Sequence, residues 1–263
     1  MKYACIIPCF NEAERIKDIF NEIVQIDNNY FDWFILDNGS TDESYKLMQK
    51  NLELHDNNNI YVFKKEKNSG YGAGIKFMIA ILFSNNIEFD KFYPYKKKKL
   101  SIPYKAIGWT HADGQTPLKD ILVAQKILDF QKQNFFLIKG IRVQRKDSKI
   151  STLFTAFLSL IQILFFNRKI ISHNSQPTFV SSKLLKKVFL DCQNTGLFDL
   201  SISILCLSHK CQITRFPVIF QTRETGEGAN EKIMQKIIFS LENLRYILKM
   251  SGYSRFNIKK RIL

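Results

Sequence analysis

The chain has 263 residues, enough for one α/β domain with a large core or for two small domains. Hydrophobic residues make up 45% and charged residues 24%, which excludes a disordered chain, and no stretch reaches the ~20 apolar residues that a membrane-spanning helix needs. The formal net charge of +15 indicates an acidic partner, which could be a nucleotide diphosphate, an anionic lipid or a nucleic acid.

The amino-terminal residues predict a first β-strand and not a secretory signal. They carry a short apolar run, but Pro8 and then Glu12 interrupt it at once. Five cysteines without C-x-x-C spacing argue against a disulfide framework or a zinc site. Reduced, mostly buried thiols in a cytosolic protein are therefore expected.

Short apolar runs alternate with helical patterns in the first half of the chain. Strands are predicted at residues 3–7, 33–36, 60–63, 106–110 and 135–138, and helices at 11–26, 44–54, 75–83 and 117–131. This alternation predicts a mostly parallel sheet with helices on both faces. Residues 89–105 interrupt it with the lysine run 96–99, which is either a solvated basic loop or a contact for phosphate or anionic lipid.

Two further helices are expected in the second half. Residues 151–166 are apolar almost all round and flanked by Arg and Lys, which fits either a buried core helix or an interfacial helix lying on a membrane. Residues 232–263 read as a basic helical tail. We expect one catalytic domain followed by this extension.

Polar segments follow four of the predicted strands. The chain reads IIPCFNEA at 6–13, DNGSTD at 37–42, NSGYGAG at 68–74 and THADGQTP at 110–117. Ligands of open α/β sheets bind at the carboxyl ends of the strands. Asp37 could accept hydrogen bonds from a nucleobase or ribose, whereas Asn11 and Asp42 could equally cap the helices that follow them.

The third and fourth segments point to phosphate and metal. The glycines of 68–74 would allow close approach of a ligand, although the loop matches neither the dinucleotide fingerprint nor a P-loop. His111, Asp113 and Gln115 alternate, so they can point to one side. Such a set suits Mg²⁺ or Mn²⁺ shared with phosphates, and a polar turn is the alternative.

These four segments, in this order, resemble the family 2 glycosyltransferases of the GT-A fold, most closely the dolichyl- and polyprenyl-phosphate sugar synthases. The resemblance implies a Rossmann-like, nucleotide-diphospho-sugar transferase domain at residues 1–230, which includes the helix at 151–166, and a helical extension at 231–263. On the donor side it implies Pro8, Asn11, Glu12, Asp37, Gly70, Gly72, His111 and Arg223.

The metal site implied by the resemblance holds Asp113, Gln115 and His111 with Mg²⁺ or Mn²⁺. His111 departs from the family, which usually has Asp there, and so removes one negative charge from the site. The family's Ser-Lys ending of the loop after the last strand is replaced here by Gly228-Ala229. Arg223 is then the expected diphosphate contact.

The implied acceptor side holds Arg142, Arg145, Asn174 and Gln176, the last two of which could also bind the donor sugar. Asp199 is, with Asp113, a candidate catalytic residue. It would act as general base if the acceptor is a hydroxyl, since a hydroxyl must lose its proton as it attacks. If the acceptor is a phosphate, Asp199 would only position groups, and a helix cap is the plain alternative.

The sequence thus predicts an inverting, metal-dependent glycosyltransferase of the cytoplasmic membrane face. It would transfer a sugar from a UDP- or GDP-linked donor to a polyprenyl phosphate or a lipid-linked or cell-surface glycan. Transfer to a sugar hydroxyl in capsular or lipopolysaccharide-type synthesis stays open, as does a catalytically weak relative that binds nucleotide sugar. Nucleic acid is not expected as a partner, because the lysines cluster in loops and in the tail.

Overall fold

The computed structural model describes residues 2–26, 30–55, 59–84, 104–145, 149–166, 174–221 and 233–259. Seven strands form one sheet: β1 (Tyr3–Cys9), β2 (Phe31–Asp37), β3 (Ile60–Lys64), β4 (Ala106–Trp109), β5 (Phe136–Arg145), β6 (Thr178–Ser181) and β7 (Gln212–Phe220). The α-helices are α1 (Ala13–Ile26), α2 (Ser44–Leu54), α3 (Tyr71–Phe83), α4 (Ile121–Phe130), α5 (Lys149–Phe166), α6 (Ser182–Val188), α7 (Phe198–Ser208) and α8 (Ile233–Lys259).

The sheet is mostly parallel, as the sequence predicts. Its strand order is β3-β2-β1-β4-β6-β5-β7, and β6 runs antiparallel to both of its neighbours while the other pairs are parallel. The carboxyl ends of the parallel strands therefore meet the amino end of β6 at one edge. We call this the carboxyl edge, and every polar segment singled out in the first half of the sequence lies there.

Helices cover both faces of the sheet because its central strands are apolar on both sides. On one face the core packs α1, α2 and α4 against the sheet, with Ile16, Phe20 and Leu128 fully buried. The opposite face holds α3, α6 and α7. A smaller cluster joins α5, α7 and α8, so the carboxyl-terminal helix is packed onto the domain.

The second half of β5 corrects the sequence reading most. The sequence predicts a strand only as far as residue 138. It runs instead to Arg145 and pairs with β7 along its length, with an irregularity between Arg142 and Gln144. The second half of β5 alternates polar residues and has no apolar run, so the sequence does not indicate a strand there. Pairing with β7 holds these residues in the sheet.

Other departures are smaller. The helix α3 begins at Tyr71, four residues earlier than expected, and the helix expected at 117–131 divides into a 3₁₀ turn at Leu118–Asp120 and α4. The five cysteines are free thiols, four of them buried. Within the described ranges, no helix is long and apolar enough to cross a bilayer.

Candidate active site

The loops after β1 and β2 are tied together by side chains. The backbone N–H of Asn11 donates to Ser40 Oγ at 2.9 Å, and Asn11 Oδ1 accepts from the backbone N–H of Thr41 at 2.8 Å. The backbone N–H of Glu12 donates to the Ser44 hydroxyl at 2.9 Å. Asn11 has a left-handed backbone, φ 55°, which Asn tolerates better than most residues. Its side chain therefore orders this part of the edge.

Asp42 anchors the starts of two helices. Its carboxylate accepts the backbone N–H of Ala13 at 3.2 Å, at the start of α1, and that of Ser44 at 3.0 Å, at the start of α2. Burial acts to raise the pKa of Asp42, but the hydrogen bonds from Ser44 and Ala13 outweigh it and hold that pKa below its ordinary value. Asp42 thus holds backbone N–H groups at both helix starts, although the N-cap position of α2 itself is Glu43.

Asp37 ends β2 and is fully buried. Its Oδ1 accepts the backbone N–H of Ser40 at 3.0 Å, whereas no donor among the described residues reaches its buried Oδ2. A buried acceptor without a donor costs free energy, so this oxygen marks a place where a ligand can donate. Pro8 lies half-buried in the neighbouring strand, opposite Leu36.

The glycine-rich segment packs closely against protein. A Cβ at Gly72 would lie 2.6 Å from the carbonyl oxygen of Thr195 and 2.7 Å from that of Gln193. The backbone N–H of Ala73 donates to the carbonyl of Asn194 at 2.8 Å. At Gly72 the close approach is made by residues 193–195 of the protein, whereas the sequence predicts close approach of a ligand by the glycines of 68–74. Gly70 and Gly72 as donor contacts stay predictions.

The loop after β4 brings Asp113 and Gln115 together. Asp113 Oδ1 accepts the backbone N–H of Gln115 at 3.0 Å. The Gln115 backbone carbonyl accepts from the N–H of Gln221 at 2.9 Å, and its side-chain amide donates to the Gln221 carbonyl at 3.4 Å. Gln115 therefore fastens the metal-candidate loop to the end of β7, and Arg223 itself lies outside the described residues.

The metal-candidate residues Asp113, Gln115 and His111 suit a cation that a bound ligand also coordinates. In the described part of the chain, no three His, Cys, Asp or Glu side chains gather as a metal site. A protein-only metal cage is thus not built there, but Mg²⁺ commonly takes one or two carboxylates and completes its shell with substrate phosphates. A carboxylate at Asp113, half-buried at the edge, satisfies that requirement.

His111 lies near the start of this loop and is half-buried. Its ring packs on that of Tyr71 with centroids 5.4 Å apart. Burial lowers the pKa of His111, although the charges of Asp113 and Asp199 act in the opposite direction. The neutral imidazole is therefore the favoured form near pH 7, as expected for a group that replaces a carboxylate without its charge.

Asp199 lies inside the protein, in the first turn of α7, and is 2% exposed. Its Oδ1 accepts from Trp109 Nε1 at 2.9 Å and from Gln176 Nε2 at 3.0 Å. Lys139 Nζ lies 3.4 Å from the same oxygen and donates to Thr178 Oγ1 at 2.8 Å. Three donors hold the carboxylate in place, and its role as a general base or as a positioning group stays a prediction.

The acceptor-side candidates reach the same edge from β5 and β6. The guanidinium of Arg142 lies 3.6 Å from the Phe220 ring centroid and donates to the backbone carbonyl of Asn174 at 2.9 Å. Gln176 is fully buried, and its Nε2 contacts the Tyr71 hydroxyl at 2.9 Å. The structure brings these candidates together with Asp199, whereas the side chain of Arg145 lies outside the described residues.

The comparisons with known proteins agree on the fold. The family model "Glycosyl transferase family 2" matches residues 4–84, and no curated protein sequence matches the chain. Glucosyl-3-phosphoglycerate synthase from Mycobacterium tuberculosis, in complex with UDP, is similar with TM-score 0.67 and 13% identity, over 95% of this chain and 80% of that one. The fold is GT-A.

Two further GT-A structures extend the comparison. The same mycobacterial enzyme, in complex with Mn²⁺, UDP and phosphoglyceric acid, gives a TM-score of 0.67 at 13% identity over 95% of this chain and 78% of that one. S. aureus TarS 1-349 gives 0.56 at 17% identity over 82% of this chain and 58% of that one. The present chain thus matches little more than half of the TarS fragment.

Sequence reasoning missed three residues of this GT-A edge: Tyr71, Trp109 and Lys139. Lys139 carried a signal in the sequence, because it directly follows the apolar run 136–138. A lysine is almost never buried unless it is paired, and Lys139 is buried in the structure. Tyr71 lies within the segment 68–74, and Trp109 directly precedes the segment 110–117. Their partner Asp199 is distant in sequence, so only the folded chain reveals the contact.

Proposed function

We propose that this protein is an inverting glycosyltransferase that transfers a sugar from a nucleotide-diphosphate donor, and that residues 1–230 form its catalytic domain. The observation that carries the proposal is Asp37 Oδ2, a buried carboxylate oxygen that lacks a donor within the described ranges. It lies at the end of β2, two strands from β4, where Asp113 follows. Two such strand ends lie about 10 Å apart, which a nucleoside diphosphate can span.

Each part of the donor would meet a chemically suited group. The base or ribose would donate to Asp37, next to Pro8, Asn11 and Glu12, and the diphosphate would lie towards Asp113 and His111. A divalent cation held by Asp113, with Gln115 and His111 beside it, would supply charge stabilisation for the leaving nucleotide diphosphate. Arg223 is the proposed second cation, because a guanidinium suits phosphate geometry.

The chain's own residues would mainly bind and orient. An inverting displacement needs the nucleophile in line with the leaving group, and Arg142, Arg145 and Asn174 are proposed to hold the acceptor. An anionic phosphate acceptor would need no base. This agrees with the fixed, buried carboxylate of Asp199.

The acceptor is proposed to be lipid-linked, a polyprenyl phosphate or a glycan on lipid, met on the cytoplasmic face of a membrane. Support comes from exposed apolar side chains at helical spacing on each of two helices that pack together, which we call the apolar stripe. It consists of Phe157, Leu160 and Leu164 on α5 and Met234, Ile238 and Leu241 on α8, all exposed. A helix face of this kind can lie in the headgroup region of a bilayer.

A donor screen tests the proposal. UDP, GDP and their sugar conjugates are added with Mn²⁺ or Mg²⁺ and the melting temperature is recorded, since a ligand that binds only the folded state raises it. We expect one nucleotide series to stabilise the protein, and Asp113→Ala to abolish both the metal-dependent part of the shift and sugar transfer. The apo melting temperature should change little, because Asp113 is half-buried in a loop. Wild-type transfer by Asp113→Ala would contradict the site.

A further inference from the structure

Three consecutive residues at the carboxyl edge have buried side-chain oxygens in need of a partner. They are Asn174 Oδ1, Ser175 Oγ and Gln176 Oε1, none of which meets a hydrogen-bond partner among the residues that the structure describes. Folded proteins leave few such groups, and each calls for an explanation. Three in succession, separated from β6 only by Pro177, indicate a ligand that supplies several hydrogen-bond donors.

The chemistry of these atoms selects the ligand. Two of the three are amide carbonyl oxygens, which only accept hydrogen bonds, and a phosphate also only accepts. A phosphate is therefore a poor partner for Asn174 Oδ1 and Gln176 Oε1. A sugar carries several neighbouring hydroxyls, each with an O–H to donate, and so matches the set.

The orientation of the Gln176 amide is fixed by its surroundings. Its Nε2 lies 3.0 Å from both oxygens of Asp199 and 2.9 Å from the hydroxyl of Tyr71, so the nitrogen faces these acceptors. The carbonyl oxygen must then point the other way. Asp199 is in turn held by Trp109 at 2.9 Å and Lys139 at 3.4 Å.

We propose that Asn174, Ser175 and Gln176 form a seat for sugar hydroxyls, and that Asp199 is a positioning residue that acts on this seat through Gln176. The inference deepens the proposed function and rests on it. It removes Asp199 from proton transfer, and it specifies that Asn174, proposed above as an acceptor contact, binds a sugar hydroxyl of the donor or of a glycan acceptor and not a phosphate.

The first test removes the acceptor oxygen. Gln176→Met keeps the volume of the side chain and leaves Asp199 its donors Trp109 and Lys139. The matched control is Gln133→Met, which changes an exposed glutamine before β5. Binding of UDP and of UDP-glucose, and the KM for a glycan acceptor, are measured with Mn²⁺. We expect UDP to bind unchanged and the sugar-bearing ligand to bind about 10- to 100-fold more weakly in Gln176→Met alone.

The two sources of sugar separate in this experiment. A loss confined to UDP-glucose places the donor sugar in the seat, and a loss confined to the acceptor KM places the acceptor glycan there. Unchanged values for both ligands would overturn the inference while leaving the proposed function intact. Failure of wild-type protein to bind any nucleotide would instead count against the proposed function.

The second test separates positioning from base catalysis. In Asp199→Asn the amide oxygen can keep Trp109 and Lys139, so its NH₂ would face Gln176 and turn that amide around. We expect weaker sugar binding, an unchanged pH profile of kcat, and no further loss when Asp199→Asn is added to Gln176→Met. If instead the losses caused by the two substitutions multiply, and the acidic limb of the pH profile of kcat disappears in Asp199→Asn, Asp199 acts as a base. Lys139→Met with Asp199→Asn replaces the single variant if the latter does not fold.

Discussion

At the scale of single residues, carboxylates at the carboxyl edge differ in role because their partners differ. Asp37 has an unmatched buried oxygen, Asp199 is surrounded by donors, and Asp42 holds backbone N–H groups. Of these three carboxylates, only Asp37 has a buried oxygen that no donor among the described residues reaches and that a ligand can therefore donate to. Position at a strand end or a helix start does not by itself tell these roles apart.

Asp42 permits a prediction about acid stability. Asp42→Ala removes the acceptor for two helix starts, so we expect a loss of about 1 kcal/mol, or about 2–4 °C in melting temperature. Since hydrogen bonds lower the pKa of Asp42 in the folded protein, its contribution is present above the ordinary Asp pKa and is lost as the pH falls through the lowered value. Melting between pH 3 and 7 should therefore be less pH-dependent in Asp42→Ala.

Asp42→Asn provides the control for this prediction. It keeps one acceptor oxygen but cannot ionise, so its melting temperature should lie between those of the other two proteins at pH 7. An Asp42→Ala protein that melts like wild type across the whole range would show that the two helix starts do not depend on this carboxylate.

At the scale of elements, the sequence predicts most of the sheet because β1 to β4 are apolar runs followed by turn residues. It predicts the polar segments at the carboxyl edge for the same reason. It could not predict the second half of β5, where Arg142 is held by pairing with β7. Nor could it predict the burial of Asp199, which depends on contacts with β4, β5 and the segment before β6.

The start of α3 offers a test of element packing. Gly72→Ala would place a Cβ against the carbonyl oxygens of Gln193 and Thr195, and backbone cannot move aside as a side chain can. We expect a destabilisation of about 1–3 kcal/mol, measured by denaturant unfolding. Gly196→Ala is the comparison, because the three atoms nearest to its Cβ would all belong to the Phe239 ring, the closest at 3.0 Å. Equal stability of both variants would mean that α3 can shift away from this segment.

At the scale of the whole molecule, the net charge of +15 and the apolar stripe on α5 and α8 support the same proposed partner. Arg245 and Lys249 lie exposed on α8, on the helix that carries half of the stripe. Apolar side chains gain by leaving water, and cations are attracted to anionic headgroups at about 1 kcal/mol each. Such a surface supports the proposed peripheral membrane contact.

Vesicle binding tests this contact with a matched pair of substitutions. Leu164 in α5 and Leu190 beside α6 are each 72% exposed, so the substitution Leu→Glu adds the same charge at two equally exposed positions. Leu164→Glu should reduce sedimentation with phosphatidylglycerol vesicles about tenfold, because it puts an anion into the stripe, whereas Leu190→Glu should bind like wild type. Raised salt should weaken wild-type binding, since part of the attraction is electrostatic. Equal binding by both variants would exclude the stripe as the lipid contact.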